Sequence, residues 1–164
     1  MADKDYEAII DRAAAANVLV DHLGTYLRSG GTAGHLMDLR ALGGYQLQAN
    51  CLIRYTGRKS GKPYVTPLIY GALAGEVVLC GSKGGADSHP AWYLNLTANP
   101  QVEFQIATQA YRGTWREPEG EERARVWDFM VDTFPPYATY QSSTKRTLPL
   151  IMLKPTEAIS AFSE

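Results

Sequence analysis

"QLQANCLIRYTGRKSGKPYVTPLIYG", residues 46–71, decides the fold. Residues 46–56 are apolar with partial alternation, and residues 62–71 are rich in β-branched and aromatic side chains. Such side chains suit a pleated, half-buried surface. Between the two runs lies "GRKSGK", glycines mixed with charged and hydroxyl residues. The pattern predicts a β-hairpin with a basic loop at its tip. Pro67 has no N–H to give to a ladder, so the second strand is expected at an edge or a bulge. The loop also has the composition of an anion cradle. It is too short for a P-loop: three residues separate Gly57 from Gly61, and Pro63 stands where a helix would begin. Its plainer reading is a solvated hairpin tip.

The same grammar continues downstream. "ALAG" (72–75) reads as a turn and "EVVLCG" (76–81) as the next strand. "SKGGADSH" (82–89) is a glycine-containing loop, and "PAWYLNLTAN" (90–99) a short helix with Pro90 in its first turn. "QVEFQIA" (101–107) and "AYRGTWRE" (110–117) alternate as a second hairpin. "EGEERARVWDFMVDTF" (119–134) is the clearest helix, with Ala124, Trp127, Met130, Val131 and Phe134 along one side. Pro135 and Pro136 stop it. A polar, tyrosine-bearing loop, "YATYQSSTKR" (137–146), then leads to a last strand, "LPLIMLKP" (148–155).

Upstream, Ile9, Ala13, Ala16, Val20, Leu23 and Leu27 recur at spacings of three and four, which predicts a helix over 5–28. "SGGTAG" (29–34) ends it. Residues 35–46 read as a short helix or an irregular connection. Hairpins join most strands and the helices lie outside the run, which favours an antiparallel barrel with flanking helices over a doubly wound parallel sheet. Residues 1–34 are thus a helix and glycine-rich arm, and residues 35–164 the barrel domain.

Composition narrows the function. With 45% apolar and 20% charged residues, the chain is neither disordered nor membrane-spanning. A net charge of −1 argues against general nucleic-acid binding. "MADKDYEAII" lacks the basic start and apolar run of a signal peptide, so a cytoplasmic location is expected. The apolar face of helix 5–28 suits the barrel itself, a second copy in a homodimer, or a membrane surface. Cys51 and Cys80 fit neither CxxC spacing nor a disulfide framework and read as buried thiols. His22, His35 and His89 have no ligand spacing, so no metal site is expected. GxGxxG and GxSxG are both absent. From Ala41 to Lys83 the bases are Arg54, Arg58, Lys59, Lys62 and Lys83, against Glu76 alone. Such a local patch suits a small anionic ligand.

Three clusters remain as chemistry. The first is the basic tip, and the second is "GSKGGA" (81–86), where glycines let a ligand approach the backbone. The third is "FPPYATYQ" (134–141), in which Phe134, Tyr137 and Tyr140 are spaced by three. Each also has a structural reading: hairpin tip, plain connection, core packing. Together they supply an anion grip, a close backbone surface and aromatic rings, which fits an aromatic, phosphate-bearing cofactor.

"TGRKSGKPYVTPLIYG", "SKGGADSHPAWYLNLTANPQVEF", "GEERARVWDFMVDTFPPYATYQSSTKR" and "LPLIMLKP" occur in order and together resemble the deazaflavin-dependent nitroreductase family. The resemblance runs from about residue 50 to 155, with "YLRSGGTAG" (26–34) matching more loosely. It implies a split β-barrel and coenzyme F420, an 8-hydroxy-5-deazaflavin with a phosphate and an oligoglutamate tail. It implies that Arg58, Lys59 and Ser60 hold the phosphodiester and that Arg54 and Lys62 meet the glutamates. The ring would lie against Thr66, Pro67 and Leu68 and the loop of Ser82, Lys83, Gly84 and Gly85, with Ala91 and Trp92 beside it. Ser82, Tyr137 and Tyr140 would bind the oxygen of a small electron acceptor: a quinone, nitroaromatic or conjugated enone. Phe134 stands where some members have tyrosine, and residues 35–50 differ in length from short members. Other readings on the same barrel are a non-catalytic F420- or lipid-binding protein and a flavin mononucleotide or haem protein.

Overall fold

The hairpin forms as its residues dictate. In the computed structural model of the protein, which describes residues 21–164, the elements in chain order are as follows. Helix α1 (His22–Arg28) precedes strand β1 (Leu36–Met37) and a 3-10 turn (Arg40–Leu42). Strands β2 (Gln48–Thr56), β3 (Pro63–Ile69), β4 (Gly71–Leu73) and β5 (Glu76–Cys80) follow, then a second 3-10 turn (Lys83–Gly85) and helix α2 (Ala91–Leu96). Strands β6 (Gln101–Ile106) and β7 (Gln109–Arg116), helices α3 (Gly120–Thr133) and α4 (Pro136–Ser142), and strand β8 (Leu150–Ile159) complete the chain.

All strand pairs are antiparallel. The sheet runs β1-β2-β6-β7-β8-β5-β4, with β3 on β2. β3 and β4 are one stretch of chain. Its first half pairs with β2 and its second half with β5, so it draws the two ends of the sheet together. The corner lies at Tyr70–Gly71. The Tyr70 N–H donates to the Ala49 carbonyl at 3.3 Å, and its hydroxyl meets His35 Nε2 at 2.8 Å. Gly71 is required there, because a Cβ would lie 2.5 Å from the Phe129 ring. Among the described residues β3 pairs with β2 alone. Pro67 therefore sits on an edge strand, in register with Leu52.

Alternation divides the core. Leu79 and Ile151 join Cys51, Ile53, Phe104 and Leu153 inside the barrel, under Trp92 and Leu96 of α2. Their neighbours Val78, Cys80, Leu150 and Met152 point the other way, into Val126, Met130, Phe134, Tyr137 and Tyr140 of the α3–α4 layer. Strands buried on both faces read as unbroken apolar runs, as "VVLC" and "LIML" do. A third cluster seats α1: Tyr26, Leu52, Ala110 and Phe162 are buried together, with Leu23 and Leu27 packed against them. Both cysteines are free and buried.

Several local expectations change. The "ALAG" turn is shorter: Ala74 and Gly75, both with positive φ, join β4 directly to β5. That is the two-residue hairpin whose twist matches its strands. Pro90 is the N-cap of α2 rather than a first-turn residue. Ala124 is exposed, and Val126 and Met130 carry the buried face of α3. The expected tyrosine loop begins as α4, because Pro136 is well placed in a helix's first turn. Residues 35–46 form β1 and a 3-10 turn. Of helix 5–28, residues 5–20 lie outside the described residues. Among the described residues no helix is long and apolar enough to cross a membrane.

Two stability predictions follow from burial. The Tyr26 hydroxyl donates to Asn50 O at 3.1 Å and accepts the Ala107 N–H at 2.8 Å, deep in the third cluster. Tyr26→Phe should leave that N–H unpaired and cost about 2 kcal/mol in urea unfolding. A change below about 0.5 kcal/mol would mean the hydroxyl is dispensable. The second concerns pH. Burial raises the Cys51 and Cys80 thiols from 9.0, and the Tyr70 phenol from 10.0, to about 12. The unfolded chain releases these protons first, so stability is full below pH 9 and falls as pH rises toward 12. Urea midpoints measured from pH 8 to 11 should decline above about 9; a flat profile would contradict the burial.

Candidate active site

The predicted clusters converge on two neighbouring depressions. The first is a cavity of about 330 Å³ between the free edge of β3 and the α4 layer. Thr66, Pro67, Leu68 and Ile69 form one wall. Ser82, Lys83 and Gly84 form another, with Trp92 of α2 beside them. Tyr137 and Tyr140 face them across the cavity. The second is a groove of about 340 Å³ at the hairpin tip, lined by Arg58, Lys59, Ser60, Tyr55, Tyr64, Ala91 and Asn95. The Tyr55 hydroxyl, from the groove, meets Thr66 Oγ1, from the cavity, at 2.9 Å. Helix α2 spans both, with Trp92 in the cavity and Ala91 and Asn95 in the groove.

The tip is rigidly built. The Gly57 N–H donates to Lys62 O at 2.8 Å and the Gly61 N–H to Gly57 O at 2.9 Å. Gly61 has φ +69, a conformation open to glycine. The Ser60 hydroxyl turns inward, accepting the Lys62 N–H at 3.2 Å. Asn95 docks the tip onto α2: its Oδ1 accepts both the Arg58 N–H, at 3.1 Å, and Arg58 Nη1, at 2.8 Å. Arg58 is thereby aimed, while Lys59 and Lys62 form no ion pair among the described residues.

Arg54 goes elsewhere. Strand alternation puts it on the face of Leu52 and Val65, opposite Tyr55 and Tyr64. There it pairs with Glu103 at 2.8 Å and stacks 4.1 Å above the Phe162 ring. Arg54 is thus engaged by other partners, although it lines a cavity of about 320 Å³ that shares Tyr55 and Asn95 with the tip groove. Gly85 also has a different part from Ser82 and Gly84. It packs on α4 so closely that a Cβ would lie 2.5 Å from the Tyr140 carbonyl oxygen.

The cavity's polar groups are few. Tyr137 is 4% exposed, and its hydroxyl has no hydrogen-bond partner among the described residues. Every fully enclosed polar side-chain atom described has a partner, so this oxygen keeps its access to the cavity. Burial pushes its phenol well above the usual tyrosine range. It is therefore a neutral donor at any physiological pH. Cys80 lies in the wall as a thiol. Leu39, Leu42 and Phe134 supply apolar wall.

Sequence reasoning missed Asn95, Leu39, Leu42 and Arg146. Arg146 donates to three backbone carbonyls of the 81–86 loop. Carbonyls leave no mark in a sequence, so nothing in "STKR" singled it out. Asn95 was legible only as a polar residue in an otherwise apolar short helix. Among the described residues no group of histidines, cysteines and carboxylates could hold a metal.

The family model for F420H(2)-dependent quinone reductases matches residues 25–155. The F420H(2)-dependent quinone reductase of Mycobacterium tuberculosis strain H37Rv is 30% identical over 152 residues, covering 91% of this chain and 97% of that protein. A solved F420-H2 dependent reductase, FDR-A, is 40% identical, with a TM-score of 0.60 over 64% of this chain and 93% of that one. Another solved relative, 34% identical with a TM-score of 0.62, covers 85% of this chain and 99% of its own, and is a domain-swapped dimer. With its split-barrel fold and its match across four-fifths of the sequence, the chain belongs to the F420H(2)-dependent quinone reductase family, oxidoreductases that use coenzyme F420.

Proposed function

We propose that the cavity and the tip groove hold the two ends of one F420 molecule, and that a quinone binds over the ring against α4. The observation that carries this reading is the contrast between the two depressions. One is a mostly apolar cavity bordered by a free strand edge. The other is a groove lined by Arg58 and Lys59, with Lys62 close by on the same tip; Lys59 and Lys62 lack carboxylate partners among the described residues. A flat deazaflavin with an anionic tail needs both, in this order. The ring would lie on Thr66, Pro67 and Leu68, with Ser82, Lys83 and Gly84 at its edge and Trp92 beside it. The phosphodiester would meet Arg58 and Lys59, and the glutamates Lys62. Ser60 lines the groove and would add its hydroxyl and the backbone of the tip to the phosphodiester contacts. Arg54, already paired with Glu103 and stacked on Phe162, is left out of the cofactor set.

The chemistry supplied by the reduced cofactor is hydride donation from its deaza carbon. The protein's share is orientation, exclusion of water and stabilisation of negative charge on the acceptor. The Tyr137 hydroxyl is the strongest candidate for stabilising that charge, because it is unpartnered, buried and kept protonated by burial. It acts as a hydrogen-bond donor to the acceptor oxygen, and the final proton comes from solvent. Ser82 and Tyr140 stand on either side as further polar contacts. Leu39, Leu42 and Phe134 complete an apolar wall suited to the faces of flat acceptors. The same donors would serve a nitro group or an enone carbonyl.

Two measurements test this. Lys59→Ala should weaken F420 binding about 10-fold, the scale of one charge-assisted contact, and the effect should shrink in high salt. Fluorescence titration with F420 and with flavin mononucleotide should show a clear preference for F420; equal affinities would sink the site assignment. Tyr137→Phe should slow oxidation of bound reduced cofactor by menadione about 5- to 30-fold while leaving F420 affinity nearly unchanged. Stopped-flow traces identical to wild type would move the acceptor site toward Ser82.

A further inference from the structure

The loop that borders the cavity holds itself only in part: the Gly85 N–H donates to Ser82 O at 2.8 Å and the Ala86 N–H to Lys83 O at 3.1 Å. Lys83, Gly84 and Gly85 are three successive residues with positive φ, at +45, +62 and +82. Lysine seldom adopts that conformation, and it persists only where surroundings impose it. From outside the loop, the Arg146 side chain adds bonds to three of its carbonyls. Arg146 Nε donates to Ala86 O at 2.6 Å, Nη1 to Gly81 O at 3.1 Å, and Nη2 to Ser82 O at 2.7 Å. Nη1 also donates to His89 Nδ1 at 3.0 Å. The guanidinium is thus bonded to both ends of the turn that presents Ser82, Lys83 and Gly84.

The same arginine is tied to the opposite wall. Gln141, in α4, donates from Nε2 to Arg146 O at 2.8 Å, and its Oε1 accepts the Leu148 N–H at 2.9 Å. Thr144 Oγ1 donates to Asp87 Oδ1 at 2.8 Å. Gly85 rests on the Tyr140 backbone. One strap, residues 141–146, therefore connects the tyrosine helix to the glycine loop.

We infer that Arg146 is a positioning residue for the reaction: its planar fork fixes the Ser82–Gly85 turn against α4 and so sets the width of the slot between them. It lines neither the cavity nor the tip groove. Its role depends on direction rather than charge, because three carbonyls at set angles need a rigid fork. A lysine keeps the charge and loses the geometry. The inference rests on the F420 site proposed above.

The test uses wild type, Arg146→Lys, Arg146→Gln and Lys59→Ala in the full chain. Amide hydrogen exchange of residues 82–86 is measured without cofactor. Binding is measured for F420 and for its deazaflavin core lacking the phosphate and glutamates. Both Arg146 variants should remain folded, exchange about 10-fold faster in the loop, and bind both ligands about 10-fold more weakly by a similar factor. Lys59→Ala should weaken F420 alone. Wild-type behaviour of Arg146→Lys in exchange and binding would overturn the inference. So would a loss confined to the tailed cofactor, or failure of both Arg146 variants to fold, which would make the residue one of general stability. If wild type fails to bind F420, the site reading fails instead, and the exchange measurement still decides the clasp.

Discussion

The barrel depends on one bend. Residues 63–73 pair with β2 at one end and β5 at the other, and the change of partner takes place at Tyr70–Gly71. A bend of this kind cannot carry a continuous ladder. It closes the sheet but leaves an edge of β3 unpaired among the described residues. An edge strand is usually a liability, and a proline in it removes one donor from the exposed row. Here the part of the strand from Thr66 to Ile69 lines a cavity, while Pro63 and Tyr64 remain exposed. Closure of the fold and creation of the slot are thus the same event. Gly71 links them physically, since the Phe129 ring of α3 occupies the space where a side chain would go.

Charge is then distributed along this frame. The hairpin that supplies the slot's edge also supplies, at its far end, the basic tip. β3 is seven residues long, so roughly 20 Å separates the bases from the cavity end of the strand. An extended ligand with an aromatic head and an anionic tail spans such a distance. Helix α2 braces both ends, with Trp92 packed at the cavity and Asn95 gripping Arg58 at the tip. On the proposed reading, a near-neutral protein holds a polyanionic cofactor in this way without becoming a general polyanion binder.

Much of this was legible in the residues. The two hairpins, helix 119–134 and the antiparallel architecture followed from alternation, helical period and turn chemistry, all of which are local signals. The cavity residues Thr66 to Leu68, Ser82 to Gly84, Trp92 and the two tyrosines were named from motifs and from resemblance, and the fold brings them together. What stayed hidden was non-local. Arg54 carries the right charge at the right end of the strand, but the two-residue period turns it to the other face, where Glu103 and Phe162 hold it. The side-chain face of a strand residue is readable only once its register is known. Arg146 grips carbonyls contributed by a loop about 60 residues away. The tyrosine segment looked like a loop because its residues are polar. Its helix forms because Tyr137 and Tyr140, one turn apart, are both buried against Phe134.

A last constraint concerns the chemistry the cavity must tolerate. Quinones are electrophiles, and thiolates add to them. Cys80 lies in the cavity wall, yet is only 6% exposed and packed among Val78, Leu150 and Met152. Burial opposes the charged form and raises the thiol to about 12, although Arg123 and Arg146 pull it down. At neutral pH the thiolate is therefore strongly disfavoured relative to that of an ordinary exposed cysteine. The same apolar surroundings keep the nearby Tyr137 phenol protonated. On the reading proposed above, one apolar wall therefore does two things: it disfavours a thiolate that would add to a quinone, and it keeps protonated the phenol proposed to meet the acceptor's oxygen. A wetter wall would weaken both effects together, so the packing of Cys80 belongs to the chemistry of the site as well as to the stability of the core.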